Sequence, residues 1–249
     1  MRHASEFRPA VDALTGRTIL ITGATGALGE AAVKACAAAG ATVVLLGRRV
    51  PKLGRLFDAI QASDAPQPAI YPLDLEGASP DDYAQLAEAL QRDCGGLDGL
   101  LHCAAEFKGL ASIENGDAID LLRALHVNLA APLLLTQAIL PLLRQRADAA
   151  VVFVLDDPAR VGKAFWGGYG VAKHGLVGAM AVLHDETENG PVRVHGLQPG
   201  PMRTPLRGRA FFAENPGEIP EAVTYAAACV HLLSAAGSAE RGRVLALEA

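Results

Sequence analysis

The 249-residue sequence has few aromatic side chains and no run of basic residues longer than two. Phe, Trp and Tyr make up only 5% of the chain, too few for the stacking platform that binds single-stranded nucleic acid. Acidic residues outnumber basic ones by 27 to 22, which gives a formal net charge of −5. Because nucleic-acid binding relies on clustered Lys and Arg, these features argue against a nucleic-acid partner.

The cysteines lack the spacing of a metal or redox motif. No two of them form a C-x-x-C pair, and no paired histidines lie nearby. The four are Cys36, Cys94, Cys103 and Cys229. Cysteines spaced in this way typically act as small buried apolar residues in proteins of a reducing compartment. We therefore predict no metal site.

Long apolar runs are also missing. Residues 1–16 lack the apolar stretch of a secretion signal. The most apolar later segment, LAAPLLLTQAILPLLR, contains Pro132 and Pro141, which are expected to interrupt it and leave it too short to span a bilayer. We expect a cytoplasmic protein without a membrane partner.

The sequence does contain a regular alternation of short apolar runs and longer segments of helical period. This alternation predicts βαβ units and a parallel sheet. No internal repeat or linker divides the chain, so residues 1–249 are predicted to form a single α/β domain. Residues 1–15 are predicted to be an N-terminal extension, and the irregular stretch 205–219 a lid over the substrate. The predicted strands are residues 17–22, 41–47, 69–75, 97–105, 149–155, 192–198 and 243–247.

A glycine-rich turn follows the first predicted strand. In TGATGALG, the glycines at 23, 26 and 29 allow a tight turn and let backbone N–H groups approach a pyrophosphate at a helix N-terminus. Three glycines alone could merely pack a helix against a sheet. Here a strand precedes the turn and a helix follows it, a context that predicts a dinucleotide-binding Rossmann fold. Its doubly wound parallel sheet is predicted to have about seven strands, flanked by helices.

The end of the second predicted strand indicates which dinucleotide binds. An NAD site usually places an acid there to accept a hydrogen bond from the ribose 2′-OH. In LLGRR, Gly47 takes that place and is followed by Arg48 and Arg49, whose guanidinium groups suit a 2′-phosphate. We predict that NADP(H) is favoured over NAD(H). The alternative is that both arginines are solvated charges at the start of a loop.

A tyrosine and a lysine lie four residues apart in GGYGVAK. On a helix this spacing puts Tyr169 and Lys173 on one face, one turn apart. An ammonium beside a phenol lowers the phenol pKa, so the pair indicates proton-transfer chemistry. The alternative is a core-facing tyrosine with a lysine that reaches to solvent.

Together these motifs resemble the short-chain dehydrogenase/reductase family over nearly the whole chain. The resemblance also rests on the Asp74–Leu75 pair, on Asn128 in LHVNLAAP, and on PGPMRT at 199–204. The sequences of the segments WGGYGVAK and LLGRR are similar to those of the bacterial YciK-like oxidoreductase branch. The resemblance implies an oxidoreductase that acts on the C=O or CH–OH group of a small-molecule substrate, and a homodimer or homotetramer formed through the long helices.

The resemblance also implies roles for particular residues. Tyr169 would exchange a proton with the substrate oxygen, and Lys173 would hold the nicotinamide ribose and lower the tyrosine pKa. Asn128 would fix a water that links Lys173 to solvent; alternatively, it caps or kinks its helix. The predicted cofactor-binding residues are Gly23, Thr25, Gly26, Leu28, Gly29, Arg48, Arg49, Asp74, Leu75, Cys103, Ala104, Ala105, Tyr169, Lys173, Pro199, Gly200, Met202 and Thr204.

The largest departure from the family is Asp156, which stands thirteen residues before Tyr169, where the family carries a serine. An ionised carboxylate only accepts hydrogen bonds and would raise the tyrosine pKa. Losing one such donor typically lowers the rate about 10²–10³-fold. Asp156 either faces the site, where it is protonated or neutralised by Arg160 or Lys163, or it serves the turn after the strand. An active reductase and a catalytically impaired dinucleotide-binding protein, acting as sensor or scaffold, therefore both stay open.

Other departures are expected to matter less. Ala27 replaces the usual middle glycine, and His102 begins the segment where the family carries Asn-Asn-Ala-Gly, so we expect His102 to be structural. In the predicted lid, Phe211 and Phe212 are candidate apolar contacts for the substrate, or anchors of the lid itself. The arginines of this region are predicted to be either surface charges or ligands of an anionic group on the substrate. They are Arg203, Arg207 and Arg209.

Overall fold

The computed structural model describes residues 1–249 and contains one eight-stranded sheet in which every strand pair is parallel. The strands are β1 (Arg2–His3), β2 (Thr18–Thr22), β3 (Thr42–Gly47), β4 (Ala69–Pro72), β5 (Gly99–His102), β6 (Ala149–Val154), β7 (Val192–Gln198) and β8 (Val244–Glu248). The helices are α1 (Ala27–Ala38), α2 (Val50–Gln61), α3 (Pro80–Cys94), α4 (Ala118–Leu125), α5 (Ala131–Leu143), α6 (Pro158–Val161), α7 (Gly167–Thr187), α8 (Pro205–Ala210) and α9 (Ala226–Leu233). The strand order is β1-β8-β7-β6-β5-β2-β3-β4, which confirms the predicted doubly wound α/β fold.

The strand count exceeds the prediction because the N-terminal segment joins the sheet. Arg2 and His3 pair in parallel with Leu247 and Glu248 of β8. The Phe7 side chain is buried and meets the His231 ring edge-on, with centroids 5.0 Å apart. A two-residue strand carries no periodic signal, which is why the sequence predicted only an extension.

Each central strand is buried on both faces of the sheet. In β2, Ile19 and Ile21 point into one apolar core and Leu20 into the other, as the two-residue period of a strand requires. Helices α1, α2 and α9 cover the first face, and α3, α5 and α7 cover the second. Burial on both faces explains why these strands read as continuous apolar runs.

The predicted interruption at Pro132 and Pro141 is wrong. Helix α4 continues into α5 through a π turn at His126–Ala130, so that Ala118–Leu143 forms one helix of 26 residues. Pro132 is the second residue after the π turn, where the regular backbone ladder is already displaced, so its missing N–H is tolerated. By length and composition this helix alone could cross a membrane, but 44% of its most apolar window is buried inside the protein. Its apolar composition is thus accounted for in part by packing against the sheet.

A network of ion pairs holds the edge of the sheet where the strands begin. Asp148, just before β6, accepts hydrogen bonds from Arg193 Nε at 2.6 Å and from Arg193 Nη2 at 3.1 Å, and it also pairs with Arg17. Arg193 is buried and donates further to the carbonyls of Leu232 and Ser234. Burial alone would raise the pKa of Asp148, but the hydrogen bonds and charges of Arg193 and Arg17 outweigh it and lower that pKa.

The carboxyl ends of the parallel strands meet at the opposite edge. Each strand from β2 to β7 is followed there by a segment that the sequence analysis singled out. The segments begin at Gly23 after β2, Arg48 after β3, Leu73 after β4, Cys103 after β5, Leu155 after β6 and Pro199 after β7.

Candidate active site

A cleft of about 450 Å³ opens at this edge of the sheet. Every predicted cofactor-binding residue lines it. Of the predicted catalytic residues, Tyr169, Lys173 and Asp156 line the cleft, and Asn128 does not. Phe107, Trp166 and Arg160 line it as well. The cleft therefore brings the glycine turn and the Tyr–Lys pair together.

The glycine turn leaves no room for side chains at two positions. Gly23 has a φ of +62°, and a Cβ there would lie 2.7 Å from Ala104 Cα. A Cβ at Gly29 would lie 2.1 Å from the carbonyl oxygen of Gly23. Glycine is required at both positions because the chain after β5 and the start of α1 pack directly onto the turn.

The first turn of α1 offers free donors to an anion. Gly26 is the N-cap and contributes no side-chain hydrogen bond. The backbone N–H groups of Ala27, Leu28 and Gly29 have no acceptor within the protein. Unpaired amides at the positive end of a helix suit a phosphate group, so this part of the cleft fits the pyrophosphate of a dinucleotide.

Arg48 lines the cleft among acidic side chains. Its guanidinium nitrogens are 3.9 Å from Asp74 Oδ1, 3.9 Å from Glu76 Oε2 and 3.8 Å from Glu106 Oε2. The side chain is half exposed, and at these distances the ion pairs are loose. Arg49 is the N-cap of α2, and Lys52 of α2 also lines the cleft, a cation that the sequence analysis missed.

Asp156 faces the cleft and binds the candidate catalytic tyrosine. Tyr169 Oη donates a hydrogen bond to Asp156 Oδ2 at 2.8 Å. The other carboxylate oxygen accepts from the backbone N–H of Asp157 at 2.7 Å and from Arg160. The turn is served by the next residue, because Asp157 caps α6 by accepting from the N–H of Ala159 at 3.0 Å. Of the two predicted orientations of Asp156, the structure shows the one in which its side chain faces the site. Its ion-pair partner is Arg160, and Lys163 makes no ion pair with it.

The Tyr169 pKa is raised, as predicted for an Asp156 that faces the site and contrary to the lowering predicted from Lys173. Burial raises it well above its usual value, and the charge of Asp156 and its hydrogen bond raise it further. Arg160 lowers it, but by less. The expected lowering by Lys173 is not found, and with its pKa raised the phenol keeps its proton throughout the physiological pH range.

Lys173 is buried one turn from Tyr169. Its Nζ donates to the carbonyl of Val154 at 2.8 Å and lies 5.7 Å from the centroid of the Tyr169 ring. Burial lowers the Lys173 pKa to about 8, opposed by the charges of Asp156 and Cys103. The ammonium thus lies beside the phenol, in the geometry that the four-residue spacing predicts.

Asn128 lies in the π turn, and its amide is fully engaged with backbone groups. Nδ2 donates to the carbonyls of Glu106 and Ala124, both at 2.8 Å, and Oδ1 accepts from the N–H of Glu106 at 3.0 Å. These bonds tie the segment after β5 to the helix. Because both amide hydrogens are used, a water relay at this position would have to rely on groups other than the Nδ2 donor.

His102 is a core residue. Its ring stacks on Phe153 with centroids 4.9 Å apart, and Nε2 lies 2.9 Å from Thr136 Oγ1. Since that hydroxyl already donates to the carbonyl of Pro132, Nε2 carries the proton and Nδ1 has no partner. Burial, with a smaller effect of Lys173, lowers the His102 pKa to about 3, so the ring is neutral.

Aromatic side chains surround Tyr169 at one end of the cleft. Its ring centroid is 5.2 Å from that of Phe107 and 5.8 Å from that of Trp166, and Phe211 lies 6.1 Å from Trp166. The sequence analysis missed Phe107, which is distant in sequence, and it missed Trp166 although this residue lies three positions before Tyr169, a spacing that places neighbours on one helix face. Trp166 is the only tryptophan in the chain, which makes its emission a reporter of this end of the cleft.

The predicted lid is partly helical. Residues 205–219 contain α8 and a 3₁₀ turn at Pro216–Glu218, so the segment is not wholly irregular. Phe211 lines the cleft, whereas Phe212 is 88% exposed and does not. Thr204 caps α8 by accepting from the N–H of Arg207 at 3.0 Å.

The arginines in and beside this segment have partners inside the protein. Arg207 donates to both carboxylate oxygens of Glu214 at 2.6 Å. Arg209 donates to the carbonyl of Phe107 at 2.6 Å, and Arg203 pairs with Glu221. Arg203 and Arg209 are exposed, as expected for surface charges, and Arg207 and Arg209 line the cleft, so the role of these arginines toward a substrate anion stays a prediction.

The chain is similar to proteins of one family. A family model described as short chain dehydrogenase matches residues 17–215. The uncharacterized oxidoreductase YciK of Escherichia coli K12 is 35% identical over 213 residues, which cover 86% of this chain and 84% of the relative. A short chain dehydrogenase structure from Pseudomonas syringae superposes with a TM-score of 0.92 at 37% identity and covers 97% of both chains. A short chain dehydrogenase from E. coli CFT073, solved in complex with NADPH, gives a TM-score of 0.91 at 33% identity and covers 96% of this chain and 99% of that one.

Proposed function

Since the chain belongs to the short-chain dehydrogenase family, and resembles its YciK branch, we propose that it transfers a hydride between NADP(H) and a carbonyl or alcohol substrate. The observation that carries the proposal is the single cleft lined by the glycine turn, Tyr169 and Lys173. Tyr169 is the proposed proton donor or acceptor, and Lys173 is proposed to hold the nicotinamide ribose. The NADPH complex of a similar structure supports the choice of cofactor.

We propose reduction as the favoured direction. NADPH, when bound, supplies the hydride that reaches the substrate carbon. As negative charge develops on the carbonyl oxygen, Tyr169 gives its proton to that oxygen. The raised pKa of Tyr169 keeps the phenol in the protonated state that reduction requires, and it also makes the phenol a weaker acid. Alcohol oxidation would instead require the phenolate, which burial and Asp156 disfavour.

An apolar and planar substrate suits the end of the cleft beside Tyr169. Phe107, Trp166 and Phe211 present ring surfaces there, and Leu206 adds an aliphatic contact. Rings favour offset or edge-on contacts with other aromatic groups. We therefore propose aromatic ketones, aldehydes and quinones as the substrate class.

A specific observation favours a second candidate function. The hydrogen of Tyr169 Oη is donated to Asp156 and is not free for a substrate. A protein in which this bond persists would bind NADP(H) without reducing a carbonyl, and would serve as a sensor or scaffold. The two candidates share the fold and the cofactor but differ in turnover.

Two proteins measured side by side separate these candidates. The wild-type protein and Asp156→Ser are titrated with NADPH, and NADPH absorbance is then followed with a panel of aromatic aldehydes, ketones and quinones. Turnover by the wild type supports the reductase. Binding without turnover by the wild type, with turnover gained in Asp156→Ser, would support the impaired protein instead.

Replacing Arg48 with Ala tests the preference for NADP(H). We expect NADPH affinity to fall about 10–100-fold, because one charge-assisted hydrogen bond to the 2′-phosphate contributes about 1.5–3 kcal/mol. NADH affinity should not change, since NADH lacks that phosphate. Isothermal titration with both nucleotides measures the difference.

Arg55→Ala is the matched control for this experiment. Arg55 is exposed on α2 and does not line the cleft, so its removal changes the net charge equally without touching the site. Equal loss of NADPH and NADH affinity in Arg48→Ala, or equal loss in both variants, would contradict the assignment.

We also propose a homodimer or homotetramer formed through the long helices. Apolar side chains are exposed on these helices, including Leu122 of α4, Leu133 of α5, and Val171 and Val182 of α7. Burial of such residues between two copies would remove apolar surface from water. Sedimentation equilibrium is expected to give a mass of two or four chains, and a monomer at micromolar concentration would refute the proposal.

A further inference from the structure

We propose that Arg160 donates a hydrogen bond to the substrate carbonyl oxygen and that Asp156 is a positioning residue for it. This inference rests on the proposed function, and it explains how the site works with a carboxylate at position 156. A carbonyl that is being reduced gains negative charge on its oxygen, which preorganised donors stabilise. Tyr169 is one such donor, and a second is needed beside it.

The other polar groups next to Tyr169 cannot be that second donor. An ionised Asp156 carboxylate only accepts hydrogen bonds. The Lys173 ammonium donates to the carbonyl of Val154 at 2.8 Å, and its remaining hydrogens are assigned to the nicotinamide ribose. His102 is buried in the core, with its proton on the nitrogen that faces Thr136.

Arg160 has unused donors at the right place. It lines the cleft, and its guanidinium pairs with the Asp156 oxygen that Tyr169 leaves free. Only Nη2 makes a hydrogen bond within the protein, so Nη1 is left as the unused donor; Nε also lacks a partner but is buried. A planar guanidinium with five hydrogens in fixed directions can hold Asp156 and donate to a substrate oxygen at the same time.

The local fold keeps Arg160 beside the phenol. Asp157 caps α6, and Pro158 takes the first helical position, which sets the start of the helix directly after β6. Arg160 then lies four residues after Asp156, at the spacing that brings the two side chains together. Its charge acts on the phenol as well, lowering the Tyr169 pKa against the larger effects of burial and Asp156.

Arg160 could instead serve only to neutralise Asp156, and a double-mutant cycle separates the two roles. The cycle compares the wild type, Arg160→Met, Asp156→Ala and the double variant. Methionine and alanine are chosen because neither side chain can donate a hydrogen bond. The probe is phenanthrenequinone, a flat aromatic dicarbonyl, reduced at saturating NADPH.

If Arg160 donates to the substrate, Arg160→Met lowers kcat about 10²–10³-fold in the wild-type background. It also lowers kcat when Asp156 is already alanine, and Arg160→Lys recovers part of the loss because it keeps a cation with N–H donors. If Arg160 only neutralises Asp156, then Arg160→Met has no effect once Asp156 is alanine. That result would overturn the proposal.

Three control measurements test whether the variants keep their fold, their cofactor binding and their dependence on this particular cation. Trp166 emission and the NADPH dissociation constant are expected to stay at the wild-type values in all four proteins, which shows that fold and cofactor binding are intact. Lys163→Met is the matched control, because this nearby cation neither lines the cleft nor pairs with Asp156. Equal loss of kcat in Lys163→Met would also overturn the proposal.

Failure of the proposed function gives a different result. If the wild-type protein reduces neither phenanthrenequinone nor any other carbonyl of the panel, the reductase assignment itself is contradicted, and the role of Arg160 falls with it. If the wild type reduces a carbonyl but Arg160→Met has no effect once Asp156 is alanine, the reductase assignment stands. In that case only the proposed role of Arg160 is wrong.

Discussion

Tyr169→Phe is expected to lower NADPH-dependent carbonyl reduction about 10²–10⁴-fold, the usual contribution of a positioned acid or base. The substitution removes one oxygen and leaves the ring contacts with Phe107 and Trp166 in place. NADPH affinity should stay the same, because the variant loses the proton donor and keeps the glycine turn. Stopped-flow absorbance with a saturating quinone measures the rate of the chemical step.

Tyr83→Phe is the matched control for this substitution. Tyr83 lies fully buried in the core on α3, its hydroxyl has no partner, and it does not line the cleft. Loss of its hydroxyl should leave turnover unchanged. A Tyr169→Phe enzyme as active as Tyr83→Phe would show that the proton comes from another group.

Asp148→Ala is expected to lower the free energy of unfolding by about 3 kcal/mol. The substitution leaves Arg193, whose side chain is only 4% exposed, without its counter-charge, and breaking such pairs typically costs 3–5 kcal/mol. The lower end applies because the Asp148 side chain is one-third exposed. NADPH affinity should not change, since Asp148 lies at the edge of the sheet opposite the cleft.

Urea denaturation of both proteins measures this difference. Asp93→Ala is the control, because its ion pair with Arg92 lies on the surface with both side chains more than half exposed and should contribute little to stability. The contribution of Asp148 also has a pH signature. Its folded-state pKa is lowered, so the stabilisation is present above the ordinary carboxyl pKa and is lost as the pH falls through the folded-state value. Equal stability of the two variants near neutral pH would contradict this account of the network.

The fold was predictable because its signals are local and repeated. Strands such as Thr18–Thr22 are buried on both faces, so they appear as apolar runs bounded by turns. Gly23 and Gly29 were recognisable because a turn at close approach admits only glycine, and the structure gives both a backbone neighbour within 3 Å of any added Cβ. The cleft lies where the parallel strands end, because their carboxyl ends share one edge of the sheet.

The other features of the site and fold could not be predicted, because they depend on contacts between segments that are distant in sequence. Whether Asp156 faced the site or the turn was undecidable from Asp-Asp-Pro, because either aspartate can cap the following helix; Asp157 does so. Phe107 and Trp166 are far apart in sequence and meet only through tertiary packing. The π turn at His126–Ala130, which lets one helix run through Pro132, likewise has no signal in apolar periodicity.

The account depends on one spatial relation, which a crystal structure of the protein with NADP⁺ and an unreactive aromatic carboxamide would test most directly. We predict the pyrophosphate on the free amides of Ala27, Leu28 and Gly29, and the nicotinamide ring in the part of the cleft lined by Tyr169 and Lys173. The amide oxygen should accept hydrogen bonds from Tyr169 Oη and Arg160. A nicotinamide ring bound away from Tyr169, or a Tyr169 hydroxyl still bound to Asp156 with the amide oxygen elsewhere, would contradict it.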